Sequence, residues 1–144
     1  MQYTQFNNLV EEGFNHIPLS REVVVDTDTP LALYLKLANT PFTYFLESVQ
    51  GGEKWGRYSF IGLGAETIIK VNEYEVLVEK NGHLQEQFLV EDPLAWIKDY
   101  QEQFKVPQLD NLPDFNGGLV GYFGYEIIRY IEPKLNNIDK IDEL

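Results

Sequence analysis

The sequence predicts an α+β fold, antiparallel β-sheet hairpins with flanking helices, and three observations predict it. Asp28-Thr29-Pro30 and Asp92-Pro93 are two proline-led starts, each opening a run of helical apolar periodicity. Asn81-Gly82 stands between two strand-like segments, the strongest short hairpin signal a sequence carries. Near-continuous apolar, aromatic-rich residues at 42–49 and 57–61 flank a turn at Gln50-Gly51-Gly52, which reads as a further pair of strands.

From the amino terminus, Phe6, Leu9, Val10 and Phe14 form a helical stripe over 3–14 that closes near Gly13. His16-Ile17-Pro18 breaks it, and 21–25 reads as a short strand. Pro30 then begins a second helix with Leu31, Tyr34, Leu35 and Ala38 on one face, ending before Pro41. Residues 42–49 read as a strand covered on both faces, with Tyr44, Leu46 and Ser48 on one side and Phe45, Glu47 and Val49 on the other. Strands follow at 57–61, 66–71, 75–80 and 83–90, the last two joined by Asn81-Gly82. The helix opened by Asp92 aligns Leu94, Ile97, Tyr100 and Phe104 to about Lys105. Two prolines make 106–115 a loop. The glycine-rich run 117–123 is expected to be a strand closely approached by another backbone, and 125–131 a helix. A polar tail after Pro133 fits a domain cut at a linker, some of whose aromatic surface belongs against a missing partner domain.

With 144 residues, 44% hydrophobic and 14% aromatic, the chain has the length and composition of one globular domain. Twenty-three acids against eleven bases give a formal net charge of -12, a surface that repels nucleic acid and anionic membranes. The absence of cysteine removes disulfides, thiolate metal sites and cysteine nucleophiles, and fits a reducing compartment. His16 and His83 lack a carboxylate at ligand spacing, so no metal motif forms. No apolar run reaches the roughly 18 residues that cross a bilayer, and a cytoplasmic protein is expected. Serines 20, 48 and 59 have no histidine in a triad setting, and 117–124 lacks the spacing of a phosphate-binding loop. No catalytic residue is assigned.

Chemistry concentrates in 45–62, FLESVQGGEKWGRYSFIG. Glu47 and Ser48 lie side by side within an apolar strand, and Lys54, Arg57 and Ser59 follow on the turn and the return strand. A carboxylate in a buried strand is costly unless a cation or donor answers it. Two answers fit the residues. One is an internal ion pair across the hairpin, with Ser48 bonded to backbone. The other is an amino-acid pocket, in which a carboxylate holds the ligand ammonium while a hydroxyl and a cation hold its carboxylate. Tyr44, Trp55 and Tyr58 would then wall the ligand's apolar side chain.

The run 45–62, followed by GGLVGYFGYEIIRYIEP at 117–133 and preceded by IPLSREVVVDTDTPLALYLKL at 17–37, resembles the N-terminal region of anthranilate synthase component I. The resemblance covers nearly the whole chain. Its first run is characteristic of the anthranilate synthase branch, while the glycine-rich run is shared with aminodeoxychorismate synthases. The family's Leu-Glu-Ser signature matches Leu46-Glu47-Ser48, with Phe45 in place of a frequent leucine.

The resemblance implies that 1–144 is the regulatory N-terminal part of the chorismate-utilising enzyme fold, inactive alone. The full enzyme converts chorismate to anthranilate and pyruvate for tryptophan biosynthesis. It uses magnesium and ammonia from a glutamine amidotransferase subunit, component II, and no cofactor is expected in this segment. Its chorismate and magnesium ligands lie in a C-terminal catalytic domain absent from this chain. The resemblance further implies that L-tryptophan binds here as a feedback inhibitor. Glu47 and Ser48 would address its polar ends, Lys54 would supply positive charge, and Tyr58 and Ser59 would line the return strand. Arg57 would pair with Glu47 and orient it. The competing readings are the same region of an aminodeoxychorismate synthase and a non-catalytic interaction module.

Overall fold

The computed structural model describes residues 1–38, 40–47, 58–110, 112–113, 115–132 and 134–135. The chain divides into two units, one formed by 1–20, 71–76 and 88–144, the other by 21–70 and 77–87.

In the first unit, α1 (Tyr3–Glu11) is closed by a Schellman motif. Gly13 takes φ +91°, its N–H donates to the Val10 carbonyl, and the Phe14 N–H donates to that of Leu9. The left-handed conformation is what glycine adopts without steric cost. Asn15 then clasps the far end of α3 (Pro93–Glu102). Its Oδ1 accepts from the Lys105 N–H at 2.7 Å and its Nδ2 donates to the Gln103 carbonyl at 2.7 Å. Asp92 caps α3 with one carboxylate oxygen that accepts from the Leu94 and Ala95 N–H groups, and Pro93 fills the first helical position. Positions 96, 100 and 104 fall on one face. Their rings form a continuous ladder from Phe88 through Trp96, Tyr100 and Phe104 to His16, with neighbouring centroids 4.7–5.5 Å apart. After the loop, a 3-10 turn (Tyr125–Ile127) leads into α4 (Ile128–Ile131). The Tyr130 hydroxyl donates to the Glu73 carbonyl at 2.6 Å.

In the second unit, α2 (Pro30–Leu37) is capped by Thr29, whose side chain accepts from the Ala32 N–H, and Lys36 pairs with Asp28 at 2.7 Å. Tyr34 stacks on Phe45 with centroids 5.5 Å apart, and its hydroxyl bonds Thr43 Oγ1. These contacts fix α2 on one face of a two-stranded antiparallel sheet, β1 (Tyr44–Glu47) and β2 (Ser59–Gly62). The register pairs Tyr44 with Gly62, Phe45 with Ile61, Leu46 with Phe60 and Glu47 with Ser59.

The remaining strands form a sheet of order β3-β4-β5: β3 (Thr67–Asn72), β4 (Glu75–Lys80) and β5 (His83–Leu89). Asn81 and Gly82 both take positive φ, +51° and +76°, as a two-residue primed turn requires. Val76 and Val78 are buried on β4, the central strand, and Lys70 of β3 pairs with Glu79 at 2.6 Å. Ala38, Pro93 and Pro107 are also buried.

Three expectations are corrected. Residues 21–25 form no strand: Val23, Val24 and Val25 are exposed in irregular backbone. Nor does 117–123, where an added Cβ at Gly117, Gly118 or Gly121 meets nothing within 4 Å, so among the described residues no backbone approaches closely. The third concerns β1, which is exposed at Leu46 and Glu47 and so is not covered on both faces. A strand needs a neighbour to bond and a layer on each face to bury it: among the described residues 21–25 and 117–123 lack the neighbour, while β1 is paired with β2 and lacks only the second covering layer. The expected turn at 50–52 lies outside the described residues.

Candidate functional site

β1 and β2 place the candidate residues by their register. Phe45 and Glu47 share one face by strand alternation, as do their partners Ile61 and Ser59, and this is the face on which Tyr34 stacks. Tyr44, Leu46, Phe60 and Gly62 occupy the other. The Tyr44 ring lies directly over Gly62, in the space a β-carbon there would fill. Glycine is required by that ring, one strand away.

At the end of the ladder Ser59 Oγ donates to Glu47 Oε1 at 3.1 Å. Ser59 is half-buried and Glu47 exposed, so water shares the solvation of this carboxylate with the hydroxyl. The expected demand of a desolvated charge is therefore not made in this chain. Tyr58 is exposed, and its ring lies 6.1 Å from that of Phe60. Of the residues predicted for the site, the structure brings Glu47, Tyr58 and Ser59 to one end of the hairpin. Ser48, Lys54, Arg57 and Trp55 lie outside the described residues.

An open cavity of about 330 Å³ lies between α2 and the segment entering β1, lined by Tyr34, Leu35, Ala38, Thr40, Pro41 and Thr43. Two of its hydroxyls are internally engaged: Thr43 Oγ1 meets Tyr34 Oη and the carbonyls of Ala38 and Thr40. Glu47 and Ser59 are not part of this lining. The sequence reading missed Tyr34 as a neighbour of the hairpin; its place on the apolar face of α2 was the available signal.

Among the described residues no group of three or more side chains is arranged to hold a metal ion, so the magnesium implied by the family finds no fitting donor set in them. No helix among them is long and apolar enough to cross a membrane.

The mixture of antiparallel strands and helices is consistent with the N-terminal region of the chorismate-utilising enzyme fold. Sequence comparison names the particular relatives. The chain is 48% identical over 144 residues to anthranilate synthase component 1 of Pseudomonas aeruginosa, covering 100% of this chain and 29% of the relative. It is 51% identical over 136 residues to that of Neisseria meningitidis, and 42% over 125 residues to that of Aquifex aeolicus. These alignments cover 92% and 86% of this chain, and 28% and 25% of the relatives. The homology to the N-terminal part of anthranilate synthase component 1 is thereby established, and the chain spans less than a third of the length of these relatives. No family model matches the chain, and no solved structure does.

Proposed function

We propose that residues 1–144 are the regulatory N-terminal portion of an anthranilate synthase component I, the enzyme that forms anthranilate and pyruvate from chorismate. The observation that carries this reading is identity near one half along the chain with proteins of that name. In this reading a C-terminal domain binds chorismate and magnesium, and component II supplies ammonia. The hairpin at 44–62 forms part of a tryptophan feedback site. Glu47 takes the ligand ammonium, Ser48 and Lys54 take its carboxylate, and Tyr58 borders its ring; Arg57 contributes charge beside Glu47.

Inhibition then follows from linkage. Tryptophan must bind the inactive arrangement better than the active one, and such coupling is typically about 1–3 kcal/mol. The exposure of Glu47 supports a pocket completed by residues beyond this chain, because a charge-assisted bond strengthens as water leaves it.

The test is a calorimetric titration of the full-length polypeptide with L-tryptophan, alongside its Ser48→Phe variant and the 144-residue segment. Saturable binding by the full polypeptide, lost in the variant and weak in the segment, is expected. No heat from the full polypeptide would remove the sensor role. Product analysis separates the enzyme classes: anthranilate formation supports this reading, and aminodeoxychorismate supports the alternative. The segment by itself should turn over no chorismate.

A further inference from the structure

Resting on that amino-acid site, we infer that Ser59 is a positioning residue, which aims the Glu47 carboxylate at the ligand ammonium and does not itself touch the ligand. The register sets Ser59 directly opposite Glu47, and its hydroxyl donates to Oε1 at 3.1 Å. A serine hydroxyl has one hydrogen to give. Given to Glu47, it leaves Ser59 no donor for a ligand carboxylate, which removes the most direct ligand role for this side chain. What remains is an effect on Glu47.

That effect has a physical basis. Glutamate is long and loses considerable rotamer freedom when held. Ser59 is a short side chain, half-buried on a paired strand, so its oxygen is a fixed point. Anchoring Oε1 there confines the carboxylate before a ligand arrives. Oε2 has no partner among the described residues, and Oε1 keeps a second lone pair. Both can accept from a primary ammonium, which has three donors. The class of ligand group is therefore an alkylammonium, and the ordering of Glu47 is completed before binding instead of during it.

The test compares two ligands on the full-length polypeptide: L-tryptophan, and indole-3-propionate, which keeps the ring and carboxylate but lacks the ammonium. Ser59→Ala is expected to weaken tryptophan binding about 2- to 10-fold, the range that ordering one long side chain corresponds to, and to leave indole-3-propionate binding unchanged. Ser59→Thr keeps a hydroxyl and should retain wild-type affinity. In a Glu47→Gln background, Ser59→Ala should cost little more, since the charge it positions is gone. Thermal melts of each variant separate binding loss from unfolding. Equal tryptophan affinity in wild type and Ser59→Ala would overturn the positioning role while leaving the site intact, as would equal losses for both ligands. Absence of tryptophan binding in the wild type would overturn the site reading, and the positioning role with it.

Discussion

Two residues carry backbone or packing constraints that follow from single atoms. Glu73 lies in the turn between β3 and β4 with φ +53°, a left-handed conformation in which a β-carbon is crowded. Its carbonyl accepts from the Tyr130 hydroxyl, a bond that involves only main chain on the Glu73 side. Glu73→Gly keeps that bond and relieves the crowding, at some cost in unfolded-state entropy. Gly62 is the opposite case. The Tyr44 ring occupies the place of its missing side chain, so Gly62→Ala must displace the ring from β1. Overpacking of this kind costs about 1–3 kcal/mol in denaturant unfolding. In a Tyr44→Ala background the same substitution should be close to neutral, because the two residues are coupled only through that contact.

Elements decided by local chemistry were legible in the sequence, and those decided by distant partners were not. Thr29-Pro30 and Asp92-Pro93 announced α2 and α3 because capping oxygens and a fixed proline φ act within four residues. Asn81-Gly82 announced the β4–β5 turn for the same reason. By contrast, Val23 to Val25 and Leu119 to Phe123 have strand-forming side chains yet no strand, because no neighbour among the described residues pairs with them. The hydroxyl that answers Glu47 depends on distant pairing in the same way: register sets Ser59 opposite it, and register depends on the pairing of the two strands as a whole. The two caps also differ in strength. Asp92 serves two N–H groups at 2.9 and 3.1 Å with a charged oxygen, while Thr29 serves one at 3.2 Å with a neutral hydroxyl. Asp92→Ala should therefore cost about 1–2 kcal/mol and Thr29→Ala closer to 0.5 kcal/mol, measured by urea unfolding. Equal losses would contradict the ranking.

Across the molecule, large apolar side chains are left in water at two stretches that the sequence marks as strand-like. Val24 is 81% exposed, Tyr122 94% and Phe123 67%. Among the described residues, the amides of 21–25 and 117–123 make no backbone–backbone hydrogen bond. Isolated apolar side chains on a surface are ordinary, but successive valines and aromatics with unpaired backbone fit surfaces that another layer covers. Under the proposed assignment that layer is the remainder of a longer anthranilate synthase polypeptide. Hydrogen exchange followed by mass spectrometry tests this directly. Amides in both stretches should exchange within seconds in the 144-residue chain, whereas those of β4 are retained by its two flanking strands. In the full-length polypeptide the two stretches should slow by orders of magnitude while β4 changes little, because only the former gain partners. Uniform slowing of every element would indicate global stabilisation instead of local covering. Continued fast exchange at both stretches would show that the rest of the polypeptide packs elsewhere.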